Sequence, residues 1–314
     1  MAYTNTDTNM TTSSALSAGM QTYYNRELLR TFEPNLVHLQ FGDEHRMPPH
    51  SGLVMNMRKL IPLETNTKAL SEGDPGESVM LAETEVTVQL QQYGEYARCT
   101  DKLDLTHLDM DIMRRTKLFG DAGARSIDAV VREELAKCAN VIYAGGKASR
   151  AELTAADKLT SRELRKAVKT LKKNHAQTFG GYFVAIIGPD TMYDLQEDEA
   201  FVKVSQYQDK ENIYTGEVGR LFGVRLVETT EAKIFEGAGM DGADVASVIV
   251  LGQYAYGVTS LKGAKPRVIV KPAGSAGTAD TLDQISTVGW KMDGFGAKLL
   301  QPEYAVRIEC GFSA

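Results

Sequence analysis

Apolar positions recur with two periods along the chain, and their interleaving predicts a mixed fold. In "TEVTVQLQQYGEYA" (84–97), Val86, Val88 and Leu90 alternate with Glu85, Thr87, Gln89 and Gln91, the period-two signature of a strand with one apolar face. "LVMNMRKLI" (53–61) predicts a second strand. Between 107 and 143 the period lengthens: Ile127, Val131, Leu135, Cys138 and Ile142 share one helical stripe. Thr106-x-x-Asp109 reads as its capping box and Gly145-Gly146 as its C-cap. A continuous helix from Asp111 to Tyr143 would be about 50 Å long, with Gly120 and Gly123 either kinking it or admitting another backbone. Tyr24, Leu28 and Phe32 predict a short helix ended by Pro34. "LTSRELRKAVKTLKKNH" (159–175) predicts a basic amphipathic helix with Leu164, Val168 and Leu171 inward. In "YFVAIIGPDTMYDLQ" a buried strand precedes a Gly-Pro break and a short helix capped by Asp190. Strands are expected at about 218–229, 245–251 and 267–271, after which a flexible "PAGSAGTAD" leads to "QISTVGWKMDGFGAKLL" and "EYAVRIECG" ends the chain. Without strict βα alternation the class is α+β, not doubly wound.

Two segments carry no such pattern. Residues 1–19, dominated by Thr, Asn and Ser, hold too little apolar surface to order themselves and read as an arm. Residues 62–83 separate the two strands with two prolines, two glycines and hardly a periodic signal. A compact domain seldom carries a stretch of that kind without a function or a partner, and a two-stranded arm needs a further surface to lie on.

Composition narrows the classes. The chain has 314 residues, 43% hydrophobic and 24% charged, room for about two domains. A net charge of −6 argues against an outright nucleic-acid binder. Cys99, Cys138 and Cys310 are far apart and in no C-x-x-C pair, which predicts free thiols in a reducing compartment. No apolar run approaches a membrane span, and the N-terminus lacks signal-peptide character, so a cytosolic site of synthesis is expected.

Catalytic motifs fail on context. "EGAGMDGADV" (236–245) has G-x-G-x-x-G spacing at Gly237, Gly239 and Gly242, but a strand follows where a dinucleotide site needs a helix, so a loop is expected. "AGGKAS" (144–149) lacks the first glycine of a phosphate loop. Ser275 lacks the first glycine of a nucleophile elbow. "HLDMDIM" (107–113) lacks the glycine and distal Glu of a calcium loop. His45 and His50 flank two prolines but read as surface residues, and His38, His107 and His175 form no H-E-x-x-H pair. No catalytic, cofactor-binding or metal-binding residue is predicted, and an NAD-dependent cytosolic enzyme survives only on the Gly237–Gly242 spacing.

The order of an arm, a short helix, a β-arm with an acidic tip, a long helix and an α+β remainder resembles the major capsid proteins of tailed bacteriophages, with the HK97-type fold, most closely the branch typified by phage N4. "TYYNRELLRTFEPNLVHLQFGDEHRMP", "LETNTKALSEGDPGES", "GEVGRLFGVRLVET" and "VGWKMDGFGAKLLQPEYAVRIECG" carry the resemblance, which covers residues 20–312 and is weakest at 146–160 and 272–283. Gly294 and Gly296 depart from the small or aromatic residues expected there. The resemblance implies an N-terminal arm (1–48), an extended loop (49–98), a peripheral domain with a spine helix (99–145 and 271–314) and an axial domain (146–270). It also implies hexamers and pentamers of the chain itself, an icosahedral shell around packaged double-stranded DNA held without sequence-specific binding, a portal, scaffolding or cement proteins, and assembly in the host bacterial cytoplasm before residence in the virion capsid. An encapsulin-like cargo shell of the same fold is the alternative.

For contacts between subunits, the tip 62–83 carries Glu64, Glu72, Asp74, Glu77 and Glu83 against Lys68, a local charge of −4. The spine cluster Arg114, Arg115 and Lys117 is the expected receiver. The basic face of Arg162, Arg165, Lys166, Lys169, Lys172 and Lys173 is the second choice, since it reads first as a solvated helix face.

Overall fold

The computed structural model describes residues 24–28, 36–48, 50–60, 67, 69, 80, 83–102, 112–198, 201, 220–261, 265–275 and 280–313. In chain order these form β1 (Asp43–Met47), β2 (Val54–Leu60), β3 (Glu83–Gln89), β4 (Gln91–Thr100), α1 (Ile112–Leu135), β5 (Val141–Tyr143), α2 (Ser161–Lys173), β6 (Phe183–Ile187) and α3 (Pro189–Gln196). The remaining elements are β7 (Arg220–Leu221), β8 (Val224–Glu228), β9 (Ile234–Phe235), β10 (Val245–Leu251), β11 (Tyr256–Leu261), β12 (Arg267–Lys271), β13 (Ile285–Leu299) and β14 (Ala305–Cys310).

The larger sheet has the order β5-β14-β10-β6-β8-β7, with β9 also on β10. Its central strands are buried on both faces, and alternation along each one sorts the core into two layers. Phe183, Ala185 and Ile187 of β6, Val248 and Val250 of β10, and Val306 and Ile308 of β14 meet α2 and α3 through Leu164, Val168, Leu171, Met192 and Leu195. The intervening Val184, Ile186, Ile249 and Leu251 meet Ile127, Val131 and Leu135 of α1 on the opposite side. Burying each of these α1 side chains stabilises the fold by about 1.5–3 kcal/mol.

The second sheet runs β1-β11-β13-β12, with β4 along the remaining edge of β13. Its Trp290, Met292, Phe295, Tyr256 and Val258 join the same core as the lower face of the larger sheet. α1 therefore underlies both sheets. β2 and β3 form a separate antiparallel hairpin, from Val54↔Gln89 to Leu60↔Glu83.

Several expectations change. α1 has 24 residues, about 36 Å of rise, and runs unbroken through Gly120 and Gly123. It stops at Leu135. Ile142 belongs to β5, which pairs in parallel with β14, so its place on the apparent stripe is coincidental. Gly145 and Gly146 follow β5 in a 3-10 turn and cap no α-helix. Asp190 lies inside the first turn of α3, where Gly188 is the N-cap and Pro189 opens the helix. The strand expected at 84–97 breaks at Leu90, β3 pairing with β2 and β4 with β13. The strand expected at 218–229 is a tight hairpin of β7 and β8 turning at Phe222 and Gly223. Short β1, β5 and β9 gave too few alternating positions to read. β11 ran unseen into the Gly-rich stretch before it.

The two departures in β13 have local causes. Gly294 adopts φ +77° at the bulge between Met292 and Phe295, a conformation most residues avoid. A Cβ on Gly296 would lie 2.9 Å from the Gln89 carbonyl oxygen and 2.9 Å from Val88 Cγ1, so β3 can close onto β13 only over a glycine.

The expected division at 146 and 271 places β11 and most of β12 with the axial part and β14 with the peripheral part. The pairing sets β11 and β12 beside β13, and β14 beside β10.

Candidate inter-subunit surfaces

Among its described residues the β2–β3 hairpin is anchored at Met57 and Val88, which are buried, and at Lys59, whose Nζ lies 2.8 Å from Glu303 Oε2, while the remaining positions are mostly exposed. The hydrogen bond from Lys59 holds the Glu303 carboxyl below the usual range. The tip residues Glu64, Lys68, Glu72, Asp74 and Glu77 lie outside the described residues, as do the arm 1–19, Phe32 and the Thr106–Asp109 capping box.

The expected receiver is divided by the helix. Arg114 and Lys117 face outward, with Lys117 Nζ 3.2 Å from Glu27 Oε1 of the N-terminal helical turn, whereas Arg115 is 6% exposed. Successive helical residues are about 100° apart, so three charges within four positions cannot share a face. Leu118 adds an exposed apolar side chain beside Arg114 and Lys117.

On α2 the basic face is outward as expected. Arg165 lies over the Phe222 ring at 5.1 Å and Lys166 is 3.6 Å from Glu163, while Arg162, Lys169, Lys172 and Lys173 are exposed. This face points away from the side of the large sheet that α1 covers.

Three polar clusters had no motif and were missed. Asp128 of α1 accepts the His38 N–H at 2.8 Å through Oδ1, and its Oδ2 lies 2.5 Å from His38 Nδ1, both side chains being fully buried. The Tyr256 hydroxyl donates to the His38 carbonyl, and burial pushes its pKa above the tyrosine range. Glu309, also fully buried, takes two hydrogen bonds from Arg150 at 2.7 and 2.6 Å, and Arg307 Nε lies 2.8 Å from the same carboxylate. The Arg150 guanidinium stacks 3.6 Å over the Phe235 ring. Asp194 of α3 accepts from the backbone and hydroxyl of Ser313 at 2.9 and 2.7 Å and pairs with Lys158 at 2.9 Å. The only hint in the sequence was a charged residue inside an apolar run, as in "YAVRIECG".

The Gly237–Gly242 stretch is a loop joining β9 to β10, which pair antiparallel. Among the described residues no cluster of three His, Cys, Asp or Glu side chains could hold a metal, and the three cysteines are buried free thiols. No described helix is long and apolar enough to cross a membrane.

A model of the phage capsid protein family matches residues 83–308. No curated protein matches the chain. Among solved structures, the capsid of Ralstonia phage GP4 is similar at TM-score 0.69 and 14% identity, over 100% of this chain and 98% of that one. The capsid of cyanophage P-SCSP1u is similar at TM-score 0.67 and 16% identity, over 88% and 89%. A virus-like particle from Pyrococcus furiosus reaches 0.53 at 13% identity, over 92% and 99%. With α1 beneath two sheets and a family match spanning most of its length, the chain belongs to the phage capsid protein family, a family of structural shell proteins and not of enzymes, and it has the fold of solved phage capsids.

Proposed function

We propose that the chain assembles as hexamers and pentamers into an icosahedral shell around packaged double-stranded DNA. A portal and scaffolding or cement proteins would complete the particle in the host bacterial cytoplasm, and the chain would belong to the branch typified by phage N4. The observation that carries the reading is the β2–β3 hairpin, a two-stranded arm that pairs with no other strand among the described residues. Such an arm is marginal alone and is stabilised by a surface that a neighbouring copy can supply. We take the two sheets as the cores of the axial and peripheral parts, with β11 and β12 in the peripheral sheet and β14 in the axial one. A mildly acidic chain suits a container that holds DNA without gripping it. Electron microscopy of the expressed chain tests the reading. Rings or shells are expected, and a monomer at high concentration in every salt condition refutes it. Particles that enclose a cargo enzyme and no DNA would instead favour the encapsulin-like alternative.

For the acidic tip we propose a neighbour's α1 as receiver, through Arg114 and Lys117. Arg115 is left out of the test, because reversing a buried charge would perturb the fold itself. Arg114→Glu with Lys117→Glu should impair assembly and Glu72→Lys with Glu77→Lys should restore it. The same pattern from Lys169→Glu with Lys173→Glu would move the receiver to α2.

A further inference from the structure

The outward face of α2 carries charge of one sign. Arg162, Arg165, Lys166, Lys169, Lys172 and Lys173 follow one another at i, i+3, i+4, i+7, i+10 and i+11. On a helix that spacing places all of them within about a third of the circumference, along about 16 Å of its length. The one acidic residue of α2, Glu163, is 4% exposed and accepts from the Thr160 hydroxyl. It reaches only Lys166, at 3.6 Å, while Arg165 lies over the Phe222 ring. Arg162, Lys169, Lys172 and Lys173 are exposed, with no acidic partner among the described residues.

Folding does not require this pattern. The stripe contains six like-charge pairs at i,i+3 or i,i+4 spacing, and each such pair destabilises a helix. Lys172 and Lys173 lie in the last turn, where the helix dipole favours cations, but Arg162 lies in the first, where it does not. A solvated face usually mixes both signs, and the chain as a whole carries a net charge of −6. Repulsion concentrated in one place on an acidic protein is relieved when an anionic surface covers it.

We infer that this stripe docks an acidic α-helix of a partner protein. Its cations recur once per turn, about every 5.4 Å, which is also the spacing of carboxylates one turn apart on a second helix. A helix laid alongside therefore keeps its register over the whole stripe. Nucleic acid fits less well. The apolar side chains of α2, Leu164, Ala167, Val168 and Leu171, are all buried, which leaves no ring on the stripe to stack a base. The acidic remainder of the chain also repels a long duplex. The acidic segment 62–83 of a second copy fits less well too, because its two prolines and two glycines break helical spacing. Without an exposed apolar anchor the contact is electrostatic, hence fast and salt-sensitive.

Fluorescence anisotropy on soluble subunits tests it. The probe is a labelled peptide of Glu and Ala, about 18 residues long so that it holds a helix, with its Glu residues in one stripe. Saturable binding is expected, weakening at least about tenfold between about 50 and 200 mM salt. Lys169→Glu with Lys173→Glu should weaken it at least about tenfold, and a peptide of the same composition with its Glu residues spread around the helix should bind at least about fivefold more weakly. Lys169→Gln removes four of the like-charge pairs and should raise the melting temperature of the subunit by about 1–3 °C. A lowered melting temperature makes that cation structural and overturns the inference. Equal binding of the two peptides, or of neither, overturns it as well. Tighter binding of a DNA duplex of about 20 base pairs overturns it in favour of nucleic acid, and tighter binding of a peptide of residues 62–83 overturns it in favour of a second copy. Each of these outcomes leaves the shell reading intact, which particle formation alone decides.

Discussion

Replacing Asp128 with Ala should detach the segment around His38 from α1. The carboxylate accepts the His38 N–H at 2.8 Å and meets its ring nitrogen at 2.5 Å, at a site with 0–1% exposure, ninety residues apart in sequence. Truncation strands two polar groups where water does not reach. Each buried group left unpaired costs about 1–3 kcal/mol. The gain in helix propensity from Asp to Ala returns at most about 0.7 kcal/mol. A net loss of about 2–5 kcal/mol is expected, or several degrees of melting temperature for a chain of this size. Denaturant melts of dissociated subunits measure it. His38→Ala combined with Asp128→Ala isolates the ring contribution, with a coupling of about 1–3 kcal/mol. A loss below about 0.5 kcal/mol in the single variant would refute the view that this pair clamps the entering chain to the helix.

Glu309→Ala should cost about 3–5 kcal/mol, because it leaves Arg307 nearly buried beside an empty site, while Glu309→Gln should cost less, as thermal melts would show. Burial raises the Asp194 pKa, but the hydrogen bonds from Ser313 and the Lys158 charge together outweigh it and leave the carboxyl below the usual range. Its stabilisation is thus present above the unfolded value near 3.9 and lost as pH falls through the lower folded value, and Asp194→Asn should flatten that acid limb in melts recorded from pH 6 to 2. Gly239→Ala should destabilise by about 1–3 kcal/mol in the same assay, since the new Cβ would lie 2.7 Å from the Leu153 carbonyl oxygen and 2.9 Å from that of Ala243. The cause is close approach, as Gly239 itself has φ −91°. NAD should show no saturable binding before or after the change.

What was legible in the sequence was whatever repeats. The Val86–Val88–Leu90 alternation and the Leu164–Val168–Leu171 stripe each span enough periods to fix an element and its buried face, and both are buried or mostly buried as read. Helix ends were less so. Ile142 extends the α1 stripe by chance, and only its pairing with Ile308 shows it to be a strand residue. The receiver cluster failed on direction: Arg115 is adjacent to Arg114 and near Lys117 in sequence, but the helical turn buries its side chain while theirs stay exposed. Asp128 was unreadable because its partner His38 lies in a different segment and neither belongs to a motif.

Both sheets share one buried layer of side chains with α1, to which Ile127, Val131 and Leu135 belong together with residues of strands from each. A body built this way resists bending between its halves, because rotating one sheet against the other would shear a close-packed layer. A closed surface tiled by one polypeptide still has to accommodate unequal tilts between adjacent tiles. That compliance is then expected in the parts outside the shared layer, above all the β2–β3 arm, whose few fixed points at Met57, Val88 and Lys59 act as a wrist. The rigid plate would transmit load across the wall, and the wrist would set its curvature.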